Sequence, residues 1–226
     1  MSSFATMEFL LRNIEYSEHL TYLILGSLLV IMCLKQIYSY QFEEFLSVLT
    51  NGKYFILHNK GDKKNNLFNS LFYIFFAINI SVFIYIALKS LKFDLKNSIE
   101  LFAIIFIFIN GYFISKYLIE KIIFEALDLN SGFENYNFQK LTCINFISLF
   151  IFLTNIVFLY ISPNPSEIWI HTSIGIFFSL YLISVTIIIL YNQKMFLKHW
   201  FYFILYLCAL EIAPFLIGAV LIQTNL

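Results

Sequence analysis

Glu211 is the only formally charged residue in the apolar run from Trp200 to Gln223, and it falls close to the middle of that run. At 1.5 Å per residue the run is long enough to cross a hydrocarbon layer of about 30 Å. A carboxyl group at that depth must be paired, protonated or reached by water, so it marks the first place where chemistry is expected. Cys208, Glu211, Pro214 and Gly218 share one helical face. Pro214 has no amide hydrogen to donate, which leaves the carbonyl near Leu210 open to a proton or a cation. Asn79, Asn110 and Ser179 lie at comparable depths in three other apolar runs, and a polar layer joining them to Glu211 is expected. Lys116 and Glu120 stand four residues apart where a further run ends. The expectation there is a weak surface pair whose lysine snorkels to the interface.

Three readings of Glu211 are open. It fixes helix packing through bonds to amides or hydroxyls, it relays a proton or ion in a small transporter or channel, or it serves an enzyme acting on a lipid or isoprenoid substrate. The enzyme reading needs a second acid, a histidine or a metal cluster nearby. His19, His58, His171 and His199 sit in loops or at the ends of runs, without metal-ligand spacing. Cys33, Cys143 and Cys208 all fall within apolar runs, as small buried residues do. No glycine-rich phosphate loop, no Ser/His/Asp set and no CxxC occurs, so no catalytic residue, metal or cofactor is expected.

The elements that must position these residues follow from composition. Of the 226 residues 60% are hydrophobic and 12% charged, against roughly a quarter charged in ordinary soluble domains. Zero formal net charge offers no basic field for nucleic acid. Six spans are expected at about 20–38, 67–88, 99–115, 141–161, 168–191 and 200–223, forming a single all-α membrane domain packed around the last of them. The third should continue beyond the membrane as an amphipathic helix to residue 129, where Asn130-Ser131-Gly132 ends it. Phe42, Phe45, Leu46 and Leu49 lie on one face of a short helix over 40–50, expected to rest on the membrane surface. Asn145, Ser148, Phe152 and Asn155 share a face of the fourth span, and Thr172, Gly175, Ser179 and Thr186 share a face of the fifth. Residues 1–19 hold no continuous apolar stretch of the kind a cleavable signal requires.

Loops 35–66, 116–140 and 192–199 hold Lys35, Lys53, Lys60, Lys63, Lys64, Lys116, Lys121, Lys140, Lys194 and Lys198. The opposite side holds only Arg12, Lys89, Lys92 and Lys96. The excess of positive charge places the first set in the cytoplasm and both termini outside.

The stretch His199-Trp200-Phe201-Tyr202-Phe203-Ile204-Leu205-Tyr206-Leu207-Cys208-Ala209-Leu210-Glu211-Ile212-Ala213-Pro214 resembles the C-terminal signature of an uncharacterised family of small multi-spanning inner-membrane proteins from Bacteroidota. That resemblance implies a helical bundle in the inner membrane and supplies no activity. The expected role is therefore non-enzymatic, a structural or assembly component of a membrane complex. A small ion- or proton-coupled transporter or channel using Glu211 is the alternative, and a lipid-modifying enzyme the third choice. The expected partners are the bilayer and a protein on the cytoplasmic face, met by residues 40–50 and 116–129.

Overall fold

The computed structural model describes residues 14–46, 63–90, 99–126, 130–162 and 165–191, all of them helical apart from short joints. Six α-helices follow in order: α1 (Ile14–Ile37), α2 (Ser39–Leu46), α3 (Lys63–Ser90), α4 (Ile99–Ala126), α5 (Asn130–Ile156) and α6 (Glu167–Tyr191). A π-helical turn, Val157–Ile161, closes the end of α5, and its Ser162 amide donates to the Val157 carbonyl at 2.9 Å. Among the described residues five segments are long and apolar enough to cross a membrane: His19–Ile37, Leu67–Ser90, Ile99–Ala126, Phe133–Ile161 and Glu167–Tyr191. The expected sixth span, 200–223, lies outside the described residues.

Among the described helices, α3 is the hub. Most of its surface is apolar, and its buried side carries Asn69, Asn79 and Ser81 among aromatic residues. Phe68, Phe72, Phe75 and Val82 are all fully buried, and 61% of its span is enclosed, against 6% for α6. Phe72 meets Phe75 edge-on at 5.5 Å, and Phe75 meets Phe152 of α5 in the same manner at 5.4 Å. Such offset and edge-to-face pairs each add about 0.5–1.5 kcal/mol beyond simple area burial.

Of the short helix expected over 40–50, the part up to Leu46 appears as α2, while residues 47–50, with Leu49, lie outside the described residues. Its amide ladder carries across the bend at Tyr38, where the Phe42 amide donates to the Tyr38 carbonyl at 2.9 Å. Phe45 reaches inward, with ring centroids 5.8 Å from Phe68, 4.9 Å from Phe72 and 6.2 Å from Phe146. Leu46, expected on the same face, is 45% exposed instead.

The expected continuation of the third helix is present as far as Ala126, since α4 runs unbroken from Ile99 to Ala126, and residues 127–129 lie outside the described residues. The helix ending expected at Asn130-Ser131-Gly132 is not what forms: α5 already begins at Asn130, well before residue 141. The reason is aromatic packing. Phe124 lies 5.3 Å from Phe133 and 5.4 Å from Tyr136, and Tyr117 lies 5.6 Å from Phe133. These rings clamp the start of α5 onto the end of α4 and carry Lys140 into the interior with it, at 9% exposure.

α3 and α5 run parallel. The Asn145 side-chain amide donates to the Asn69 carbonyl at 3.1 Å, and that of Asn155 donates to the Asn79 carbonyl at 2.9 Å. Both pairs are separated by 76 residues in sequence, so the two helices advance together. Parallel neighbours need a return between them, and α4 supplies it.

The outer faces of α4 and α6 are apolar. Ile104, Ile107, Phe108, Ile168, Trp169 and Ile183 are each more than half exposed. Faces of this kind are covered in a working protein by lipid or by another protein.

Candidate functional site

Among the described residues, buried polar side chains gather in two places, apart from Ser27 of α1, which donates to the Ile24 carbonyl of its own helix. The first is the seam between α3 and α5. Asn69, Asn79, Thr142, Asn145, Ser148 and Asn155 are at most 1% exposed. Asn69 Nδ2 donates to Thr142 Oγ1 at 3.0 Å, and Thr142 Oγ1 donates in turn to the Phe138 carbonyl at 2.8 Å. Asn79 Nδ2 donates to the Phe75 carbonyl of its own helix at 2.8 Å. The face Asn145, Ser148, Phe152 and Asn155, read from spacing alone, is the face that α5 turns to α3. Among the described residues the side-chain oxygens of Asn79, Asn145 and Asn155 are buried and accept no hydrogen bond. The seam is neutral, closely packed and rich in donors already used between helices.

The second place is the end of the bundle where α4 leaves and α5 enters. The residues that α4 buries are Ile105, Ile109, Lys116, Glu120 and Phe124, a single stripe at helical spacing. Halfway along, that stripe changes from aliphatic to charged, so the charges face inward. Lys116 is 5% and Glu120 1% exposed, which replaces the expected surface pair. Lys140 Nζ of α5 donates to Glu120 Oε1, and lies 5.8 Å from the centroid of the Tyr136 ring. Lys116 Nζ donates to the Tyr181 hydroxyl of α6 at 3.4 Å and stands 5.9 Å from that ring's centroid. By contrast Lys121 and Glu125, on the outer side of α4, approach only to 3.9 Å and are both about half exposed.

A pocket of about 320 Å³ opens beside these charges, between α3, α4 and α5. Ser70 and Tyr73 form one wall, Phe113, Ile114, Lys116, Tyr117 and Glu120 the second, and Asn137, Lys140, Leu141 and Ile144 the third. Near its rim the Tyr73 hydroxyl donates to Asn110 Oδ1 at 3.3 Å, and Asn110 Nδ2 donates to the Phe106 carbonyl at 2.8 Å. Chemically the pocket offers ammonium and hydroxyl donors around one carboxylate. Among the described residues no three His, Cys, Asp or Glu side chains gather as metal ligands would.

The residues expected to form one layer are placed apart. Asn79 belongs to the seam, Asn110 bonds to Tyr73 on the pocket side, and Ser179 is exposed on α6, donating to the Gly175 carbonyl of its own helix at 2.8 Å. Thr172 and Thr186 of the same face likewise look outward and donate to the Trp169 and Leu182 carbonyls. Glu211, Cys208 and Pro214 lie outside the described residues. The residue that sequence reasoning missed is Lys140, taken for a loop charge. Its signal was present: it closes the polar stretch immediately before the charge-free run 141–161 and stands four residues after Tyr136.

Among the described residues, helices long and apolar enough to cross a membrane, apolar outer faces and a charged pocket make up an all-helical bundle compatible with a membrane setting. The chain belongs to the family described as "Domain of unknown function (DUF4271)", which matches residues 20–222. No curated protein and no solved structure matches it.

Proposed function

We propose that this chain is a single-domain, multi-pass protein of a bacterial inner membrane, acting without catalysis as a structural or assembly component of a larger complex. The observation that carries this reading is the α3–α5 seam. Polar groups buried within the spans bond helix to helix at two levels, as in a rigid framework. The outward apolar faces of α4 and α6 supply area for lipid and for neighbouring proteins. The resemblance of the last span supports a Bacteroidota inner membrane, and the lysine distribution supports termini on the periplasmic side. Residues 40–50 and 116–129 then face the cytoplasm, where Tyr40, Lys121 and Glu125 give a partner polar contacts.

Gentle extraction followed by identification of the co-purifying proteins tests the proposal, with wild type compared to Glu120→Gln and Glu211→Gln. A stable companion retained by both variants supports a framework role. The transporter reading keeps one observation in its favour, a pocket that reaches the buried Glu120 carboxylate from one end of the bundle. Proton or cation flux in proteoliposomes that is lost in a folded Glu120→Gln variant would replace the framework reading with that one.

A further inference from the structure

We infer that the pocket between α3, α4 and α5 binds the phosphate headgroup of an anionic membrane lipid. The inference rests on the membrane reading above and adds a ligand to it. Three charged residues meet the pocket: Lys116 and Glu120, 5% and 1% exposed, and Lys140, whose side chain is 11% exposed. Among the described lining residues two cations stand against one anion, and Tyr117 adds a hydroxyl, that of Tyr73 being given to Asn110. A phosphate oxygen is the complementary partner, because it accepts several hydrogen bonds and carries the opposite charge.

Depth selects a lipid over a solute. Residues 101–115 and 141–161 carry no formal charge, and Lys116 and Lys140 are the first charges beyond them. Under the membrane reading, the end of each charge-free run is where headgroups are expected, and both lysines stand there. The pocket combines these charges with aliphatic walls, and its lip is formed by Ile114 and Tyr117, which are 57% and 40% exposed. A molecule entering sideways from the bilayer would set its phosphate against the lysines and lay its chains along the outer face of α4. The carboxylate of Glu120 tunes the site: it holds Lys140 in place and limits the net charge to one.

The test is native mass spectrometry of the detergent-purified full chain, titrated with phosphatidylglycerol, with phosphatidylcholine, and with inorganic phosphate alone. Wild type is expected to retain phosphatidylglycerol over phosphatidylcholine. Lys116→Gln should weaken that retention by at least about tenfold, the worth of one charge-assisted hydrogen bond, while Lys116→Arg keeps it. Circular dichroism and gel filtration confirm that each variant is folded. Should Lys116→Gln misfold, Tyr117→Phe together with Ile114→Trp at the lip supplies a second probe, expected to lower retention without touching the charges. Equal retention of both lipids, or a folded Lys116→Gln that binds phosphatidylglycerol as wild type does, overturns the inference. Saturable binding of inorganic phosphate with no lipid retained overturns it in favour of a free anion. The membrane reading fails separately, if carbonate washing releases the chain from membranes.

Discussion

Asn155 and Lys140 are carried by the same helix, both are buried, and each reaches a neighbouring helix, yet they do opposite things. Asn155 meets a backbone carbonyl across a tight seam and remains neutral. Lys140 meets a carboxylate beside an open pocket and brings a second cation close to Lys116. A neutral amide bond between helices is worth about 0.5–2 kcal/mol, and the buried, unpaired oxygens of Asn79, Asn145 and Asn155 offset part of that gain. A desolvated ion pair repays its enclosure only in part, so a hydrophobic pair of similar volume would stabilise the fold as well or better. The difference teaches that the seam is explained by folding alone, whereas the charged end invites an explanation by binding.

Breaking the charged end should produce the largest effect. Glu120→Ala removes the carboxylate from Lys140 and is expected to destabilise the bundle by about 3–5 kcal/mol, read as a lowered midpoint in denaturing detergent. The double change Glu120→Met with Lys140→Met should restore most of that loss, and the contrast sharpens if lipid retention falls while stability recovers. Loss of stability in the double variant equal to that of Glu120→Ala would make the pair a structural staple. Next in size is the seam: Asn145→Ala, which deletes the bonds to Asn69, should cost about 0.5–2 kcal/mol by the same measurement and leave lipid retention unchanged. Smallest are Thr186→Ala on the outer face of α6 and Lys121→Gln on the outer side of α4, each expected within about 0.5 kcal/mol of wild type.

Five of the six expected long apolar helices were legible because a charge-free apolar run of that length has few other structural meanings, and the sixth, 200–223, lies outside the described residues. The α4 continuation was legible from its alternation of charged and aliphatic residues. The early start of α5 was not, because Lys140 reads as a loop charge until Phe133 and Tyr136 are seen against Phe124. The seam was half legible. Spacing put Asn145, Ser148 and Asn155 on one face, but nothing local says that the face opposite belongs to a helix 76 residues earlier. The proposed layer of Asn79, Asn110 and Ser179 rested on depth, and depth leaves the rotation of each helix undetermined. Rotation sends Ser179 outward and Asn79 inward. Burial of Lys116 and Glu120 has the same origin, since four-residue spacing is shared by an outer pair such as Lys121 and Glu125.

The matched offset of the two asparagine rungs carries one last consequence. From Asn69 to Asn79 and from Asn145 to Asn155 the two chains count off equal steps, so the seam behaves like a zip with a fixed pitch. One extra residue slipped into either helix between the rungs would turn everything beyond it by about 100°, swinging one amide out towards the acyl chains. The same insertion made in both helices together would turn the two teeth in concert, whereas length added to the joint between α4 and α5 would leave the zip closed.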